Sequence, residues 1–160
     1  MKIRPAEDRE LAAIAVLRSL GWEVPEFWEP RIALYLSGEH SPQQALAPRA
    51  AFVAVEDGKV VGFVAGHRTR RFGYDGELQW INVAHEQRGA GVAGSLLAAI
   101  AAWFVQESAL RVCVNVEPNN VAARRFYEKF GARSLREYWM TWEDIRVVDG
   151  RLQDASGFAL

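Results

Sequence analysis

The sequence predicts one mixed α/β (α+β) domain: a hairpin-rich half followed by a βαβα half. Two observations carry this. Two strand-like runs, 51–56 and 59–67, flank Asp57-Gly58, a strong two-residue hairpin signal. Further on, a long apolar run at 90–107 and a second helical run at 119–130 bracket the strand-like 110–116, a pattern that adds a parallel neighbour to the sheet.

The elements follow in order. Residues 2–4 start a strand that Pro5 closes, and 7–20 has Leu11, Ile14, Ala15, Leu17 and Arg18 at helical spacing, with Gly21 as its stop. A second short helix is expected over 27–36, on Phe27, Ile32, Leu34 and Tyr35. Residues 37–48 hold two prolines and many small polar residues and read as a loop. After the hairpin, 68–76 reads as a charged turn leading into the strand 77–83 (ELQWINV). The helix over 90–107 is apolar nearly all round, as a helix buried on several sides would be. Gly131 caps the helix 119–130. Residues 138–142 and 145–148 read as closing strands, which makes 1–148 the core and 149–160 a tail with little signal. The predicted order is β-α-α-β-β-β-α-β-α-β-β.

Composition narrows the function. The chain has 160 residues, half of them apolar and 24% charged, an ordinary single-domain composition with enough length for a core. A formal net charge of −1 argues against a general nucleic-acid or anionic-membrane binder. Cys113 is the single cysteine, so neither an intrachain disulfide nor a cysteine zinc cluster is expected, and no metal is called for. The longest apolar stretch is too short to span a bilayer, and the opening residues turn polar and acidic where a signal peptide needs an apolar segment. The expectation is a soluble, cytoplasmic protein.

The most informative segment is QRGAGVAG at 87–94, between a strand and a buried helix. Gly89, Gly91 and Gly94 let a ligand approach the backbone, and the helix that follows offers unpaired N–H groups to an anion. Read literally these glycines spell GxGxxG, and Glu117 even follows the next strand as a dinucleotide fold would want. Against that reading, five residues separate the strand from the first glycine, and no second βαβ half is present. A Walker A loop is excluded because no Gly-Lys-Ser/Thr follows. The phosphate cradle is the preferred reading over a plain strand-to-helix turn.

Arg88, Gly91 and Ala93 fill the pyrophosphate-loop pattern Arg/Gln-x-x-Gly-x-Gly/Ala, and Val116, Asn120, Ala123, Phe126, Tyr127, Glu128 and Gly131 match a second motif in order. Together these segments resemble the Gcn5-related N-acetyltransferase (GNAT) family over about 77–132, with Ala132 departing from the usual Phe. The resemblance implies a central mixed, mostly antiparallel sheet flanked by helices, acetyl-CoA as cosubstrate, and an amine acceptor on a small molecule, peptide or protein. It also makes a homodimer possible. It implies cofactor contacts from Ile81, Val83, Arg88, Gly89, Ala90, Gly91, Val92, Ala93, Gly94, Ser95, Asn120 and Tyr127. Main-chain groups of Ile81 and Val83 would hold the pantetheine arm, and the Val83 N–H would polarise the thioester carbonyl. Alternatives are a non-catalytic acyl-CoA sensor and a dinucleotide-dependent oxidoreductase.

By the same resemblance Tyr127 is the catalytic acid that protonates the leaving thiolate, although a tyrosine beside Phe126 also reads as a core aromatic. Glu77 is the candidate base, acting directly or through water. On strict alternation it shares a face with Gln79, Ile81 and Val83, while Trp80 points away to packing. A carboxylate at a strand start also reads as solvated. His67, near the end of the preceding strand, would serve instead or pair with Glu77 across the hairpin; His40 and His85 have no visible partner. Asn120 either caps its helix or contacts the cofactor arm. Arg68, Arg70 and Arg71, with Lys59 in the same hairpin, form a basic cluster that is a solvated turn or an attractor of acidic substrates. Cys113 reads as a small core residue and Trp103 as core. Trp22 and Trp28 flank the first two helices, where the family places its acceptor cleft, and Trp139 and Trp142 fall in the closing strands.

Overall fold

The computed structural model describes residues 1–20 and 22–158, with side chains described as far as residue 152. Gly21 and the last two positions of the expected tail lie outside the described residues. The elements are β1 (Lys2–Pro5), α1 (Leu11–Ser19), α2 (Pro25–Ser37), β2 (Ala45–Glu56), β3 (Lys59–Thr69), β4 (Gly76–Val83), α3 (Val92–Gln106), β5 (Val112–Asn115), α4 (Val121–Lys129), β6 (Arg133–Arg136), β7 (Trp139–Trp142) and α5 (Val147–Phe158). They build a seven-stranded sheet of order β1-β2-β3-β4-β5-β7-β6. Every neighbouring pair is antiparallel except β4 and β5, which are parallel and joined through α3.

Helices cover both faces of the sheet. On one face α1 and α2 pack Ile14, Leu17, Trp28 and Ile32 against Val53 and Phe63. On the other, Leu96, Leu97, Ile100 and Phe104 of α3 meet Ala54, Val64, Leu78 and Val114. Alternate residues Phe63 and Val64 thus enter different cores, as the two-residue period of a strand requires. Phe104 is fully buried, so truncating it to Ala would cost about 3–5 kcal/mol. Sheet and α5 pack on α3, and Phe130 at the end of α4 closes on Gly94, which accounts for most of its apolar character; Ala102 and Val105 stay exposed.

Four expectations change. The loop expected over 37–48 ends early, because β2 begins at Ala45 and pairs with the extended end of β3 (Ala45↔Thr69, Leu46↔Arg68). Pro48 is accommodated at the register shift between Leu46 and Arg49, where no ladder N–H is required of it. The closing strands are Arg133–Arg136 and Trp139–Trp142; residues 145–148 are not a strand, and Val147 opens α5. The tail is therefore helical over most of its length, a state its two glycines concealed. Finally, the expected basic cluster is dispersed, since Lys59 opens β3 and Arg68 lies ~30 Å along the same strand.

Candidate active site

The glycine-rich turn has the backbone geometry of an anion cradle. Gly89 and Gly91 have φ of +84° and +82°, left-handed values that let the chain turn tightly ahead of α3. The amide N–H groups of Gly91, Val92, Ala93 and Gly94 find no backbone acceptor among the described residues, and the first helical bond is Ser95 N to Gly91 O at 3.1 Å. These amides line a groove of ≈ 660 Å³ together with Val83, Arg88, Phe126, Lys129, Phe130 and Leu152. Gly94 is there for closeness, because a Cβ at this position would stand 2.9 Å from Phe130 Cζ. Free N–H groups at a helix start, with Arg88 and Lys129 beside them, fit a pyrophosphate.

Phe126, Lys129 and Phe130 stand one helical turn apart, at i, i+3 and i+4, so a single face of α4 walls the groove. That spacing is visible in the sequence. Leu152 of α5 is not foreseeable, since a residue in the expected signal-poor tail forms the far wall.

β4 is the hinge between two sites. It pairs with β5 only from Gly76↔Val112 to Leu78↔Val114. Beyond that point residues 80–83 remain paired with β3 but part from β5, and their β5-facing edge runs toward the glycine cradle. Within this strand Gln79 is a bulge: Gly66 faces Leu78 and Ala65 faces Trp80. The extra residue inverts the alternation. Glu77 therefore does not share a face with Ile81 and Val83, which join Leu78 in the α3 core. Trp80 comes instead to the Glu77 side, where its ring packs 4.9 Å from Tyr35 and 6.1 Å from Trp28, centroid to centroid.

Glu77 is buried, not a solvated carboxylate at a strand end. Its Oε1 accepts from Arg71 Nε at 2.8 Å and from Thr69 Oγ1 at 3.4 Å, and His67 Nε2 stands 3.8 Å away. Burial raises the carboxyl pKa, but the neighbouring His67 and the Arg71 guanidinium outweigh it and hold Glu77 below the ordinary carboxylate value. His67 lies directly opposite Glu77 in the register, and its Nδ1 shares a 2.8 Å hydrogen bond with the Tyr35 hydroxyl. Arg71 thus belongs to a buried pair, while Arg70 is exposed. Oε2 of Glu77 makes no hydrogen bond among the described residues, yet it is not sealed from solvent.

Tyr127 sits across the sheet from Glu77. Its ring meets Trp142 edge-on at 5.7 Å within the α3 core, and burial pushes its phenol above the ordinary value of 10.0. Its hydroxyl, like Glu77 Oε2, makes no hydrogen bond among the described residues. Asn120 is a helix cap: its Oδ1 accepts from Ala123 N at 3.1 Å. Cys113 is fully buried opposite Glu77, and burial pushes its thiol up to about 12.

On the Glu77 side, a pocket of ≈ 470 Å³ is lined by Trp28, Arg31, Leu34, His40, Gln79 and Trp80, with two prolines. None but Trp28 was singled out by the sequence as near an acceptor; strict alternation already put Gln79 on the Glu77 side, but only the bulge brings Trp80 there. A further groove between α1 and the β2–β3 turn holds the Arg4–Glu10 pair and Lys59, and no group expected to do chemistry. Among the described residues there is no cluster of metal-ligating side chains, and no helix is long and apolar enough to cross a membrane.

The sequence pattern of the acetyltransferase (GNAT) family matches residues 9–132. An uncharacterised N-acetyltransferase of Methanocaldococcus jannaschii is 29% identical over 117 residues, which is 71% of this chain and 73% of that protein. Among solved structures, a ribosomal-protein-alanine N-acetyltransferase from Brucella melitensis superposes with a TM-score of 0.68 at 18% identity, covering 89% of this chain and 99% of the other. An aminoglycoside 6'-N-acetyltransferase complexed with coenzyme A superposes with a TM-score of 0.68 at 17% identity, covering 91% and 97%.

Proposed function

The chain belongs to the acetyltransferase (GNAT) family, and from that premise we propose that it transfers the acetyl group of acetyl-CoA directly to a primary amine within a ternary complex. One observation carries the reading. β4 leaves β5 after Leu78, and its open edge links an anion cradle on one side of the sheet to an aromatic pocket on the other. The cradle amides of Gly91, Val92, Ala93 and Gly94, with Arg88, suit the pyrophosphate of the cosubstrate. Main-chain groups of Ile81 and Val83 on the open edge suit the pantetheine arm.

Acetyl-CoA supplies a thioester, an activated acyl group with a good leaving group. The residues then divide the proton work. Glu77, ionised at neutral pH, takes a proton from the acceptor ammonium, directly or through water at Oε2. The free amine forms the N–C bond as the C–S bond breaks, and Tyr127 gives its hydroxyl proton to the departing sulfur. The ammonium loses two protons on becoming an amide N–H. The first passes through Glu77 to solvent. The second, shed as the N–C bond forms, returns through water to the Tyr127 phenolate and so balances the one given to sulfur. Asn120 Oδ1 is taken up in capping α4.

Calorimetry with acetyl-CoA, followed by thiol release with a panel of primary amines, tests the reading. Micromolar binding and amine-dependent thiol release are expected. Absence of binding, or thiol release indifferent to added amine, would overturn it.

A further inference from the structure

Two guanidinium groups near Trp28, those of Arg18 and Arg31, have no acid to pair with among the described residues. The Arg18 guanidinium lies 4.3 Å from the Trp28 ring centroid, and its Nε is buried without a hydrogen-bond partner among the described residues. Burial lowers the Arg18 pKa, so the charge is held at a cost that an anion would relieve. Arg31, which lines the pocket beside Trp28, rests over the Phe27 ring at 3.5 Å and donates to the Phe27 carbonyl at 2.8 Å. Among the described residues neither arginine forms an ion pair. Glu26, Glu29 and Glu39 neighbour the pocket in sequence, but none lines it.

The rest of the lining is apolar or neutral. Trp28 and Trp80 stand at 76° to one another, Leu34 closes one side, and Gln79 offers an amide. A pocket of ≈ 470 Å³ suits a small ring-sized body, being within the usual range of small-molecule sites. Arg31 on the wall, Arg18 over the Trp28 ring and no carboxylate in the lining disfavour a polycation.

We propose that this pocket is the acceptor subsite for a primary amine carried on an apolar, ring-sized body whose far end bears a carboxylate, which Arg31 reads with Arg18 behind it. It rests on the acetyl-transfer reading for the orientation of the amine, toward the open edge of β4.

Three probes test the proposal by tryptophan fluorescence quenching and, separately, by thiol release: para-(aminomethyl)benzoate, benzylamine and spermidine. The carboxylate-bearing amine is expected to bind about 10-fold more tightly than benzylamine, as a charge-assisted contact at a partly exposed site allows, and spermidine more weakly than both. Arg31→Gln is expected to bring the carboxylate-bearing amine down to the level of benzylamine, and Arg18→Gln to narrow the gap. Circular dichroism confirms that each variant is folded. Equal binding of the two ring amines, tightest binding of spermidine, no binding of any probe at millimolar concentration, or a gap surviving Arg31→Gln would each overturn the proposal. Binding in the expected order without acetyl transfer would sink the transfer reading while leaving the selectivity of the pocket in place. Acetyl transfer with spermidine preferred would do the reverse.

Discussion

Arg71 and Glu77 form a buried ion pair at 2.8 Å, and the same guanidinium lies 4.6 Å from the centroid of the Trp139 ring. The contact ties the turn after β3 to β4 and β7, and it holds the proposed base ionised. Only 16% of the Arg71 side chain and 6% of the Glu77 side chain are exposed, so solvent screens the pair little. Replacing Arg71 with Met is expected to raise the Glu77 pKa. The acidic limb of the kcat/KM profile should then move to higher pH. A limb that stays in place would mean that Glu77 ionisation does not govern turnover.

Glu77→Gln removes the proposed proton acceptor. Turnover is expected to fall by about 10²–10³-fold, as for loss of a general base, with acetyl-CoA affinity in calorimetry nearly intact.

The same carboxylate links stability to pH. Its pKa is lower in the fold than the ordinary 4.5, so its stabilisation is complete above that value and is lost as pH falls through the folded one. Urea midpoints of the native protein should therefore decline on acidification below about pH 4.5 more steeply than those of Glu77→Gln. Parallel curves would show that the ion pair contributes nothing to the acid limb.

Tyr127→Phe keeps the ring against Trp142 and deletes only the hydroxyl. Its kcat is expected to fall about 10–100-fold, with thermal stability and cofactor affinity close to the parent. Unchanged kcat would leave Tyr127 as a core aromatic alone.

Gly94→Ala places a methyl 2.9 Å from Phe130 Cζ, and the ring must move along the groove wall. A loss of about 1–3 kcal/mol in stability is expected, together with weaker acetyl-CoA binding in calorimetry. Unaltered affinity would mean that Phe130 does not shape the cofactor groove.

Cys113, with its thiol pushed up to about 12 and no exposed surface, should resist alkylation in the native protein. Mass spectrometry is expected to show iodoacetamide labelling slowed at least ~10³-fold relative to the urea-unfolded chain. Rapid native labelling would contradict the burial.

Most of the fold was legible because its signals are local. Asp57-Gly58 turns the β2–β3 hairpin, Asn120 caps α4, and the glycines at 89 and 91 turn the chain ahead of α3. Each is decided within a few residues of itself. The β6 strand was missed because it is four residues long with no fully buried member, and its pairing partner β7 does the work of placing it. α5 was missed for a related reason: its helical state comes from packing against α3, not from its own weak propensity.

By itself the sequence determined the mixed domain, the glycine-rich turn ahead of α3 and the identity of the residues that fill its motifs, all matters of local backbone preference and spacing. Tertiary structure alone decided which of them meet. A single bulged residue, Gln79, inverts the parity of β4, so that Glu77 shares a face with Trp80 and not with Ile81 and Val83. Alternation has a period of two, so one inserted residue exchanges the faces of everything beyond it. Parting from β5 after Leu78, and the return of Leu152 to the cradle, are likewise properties of strands and helices far apart in the chain.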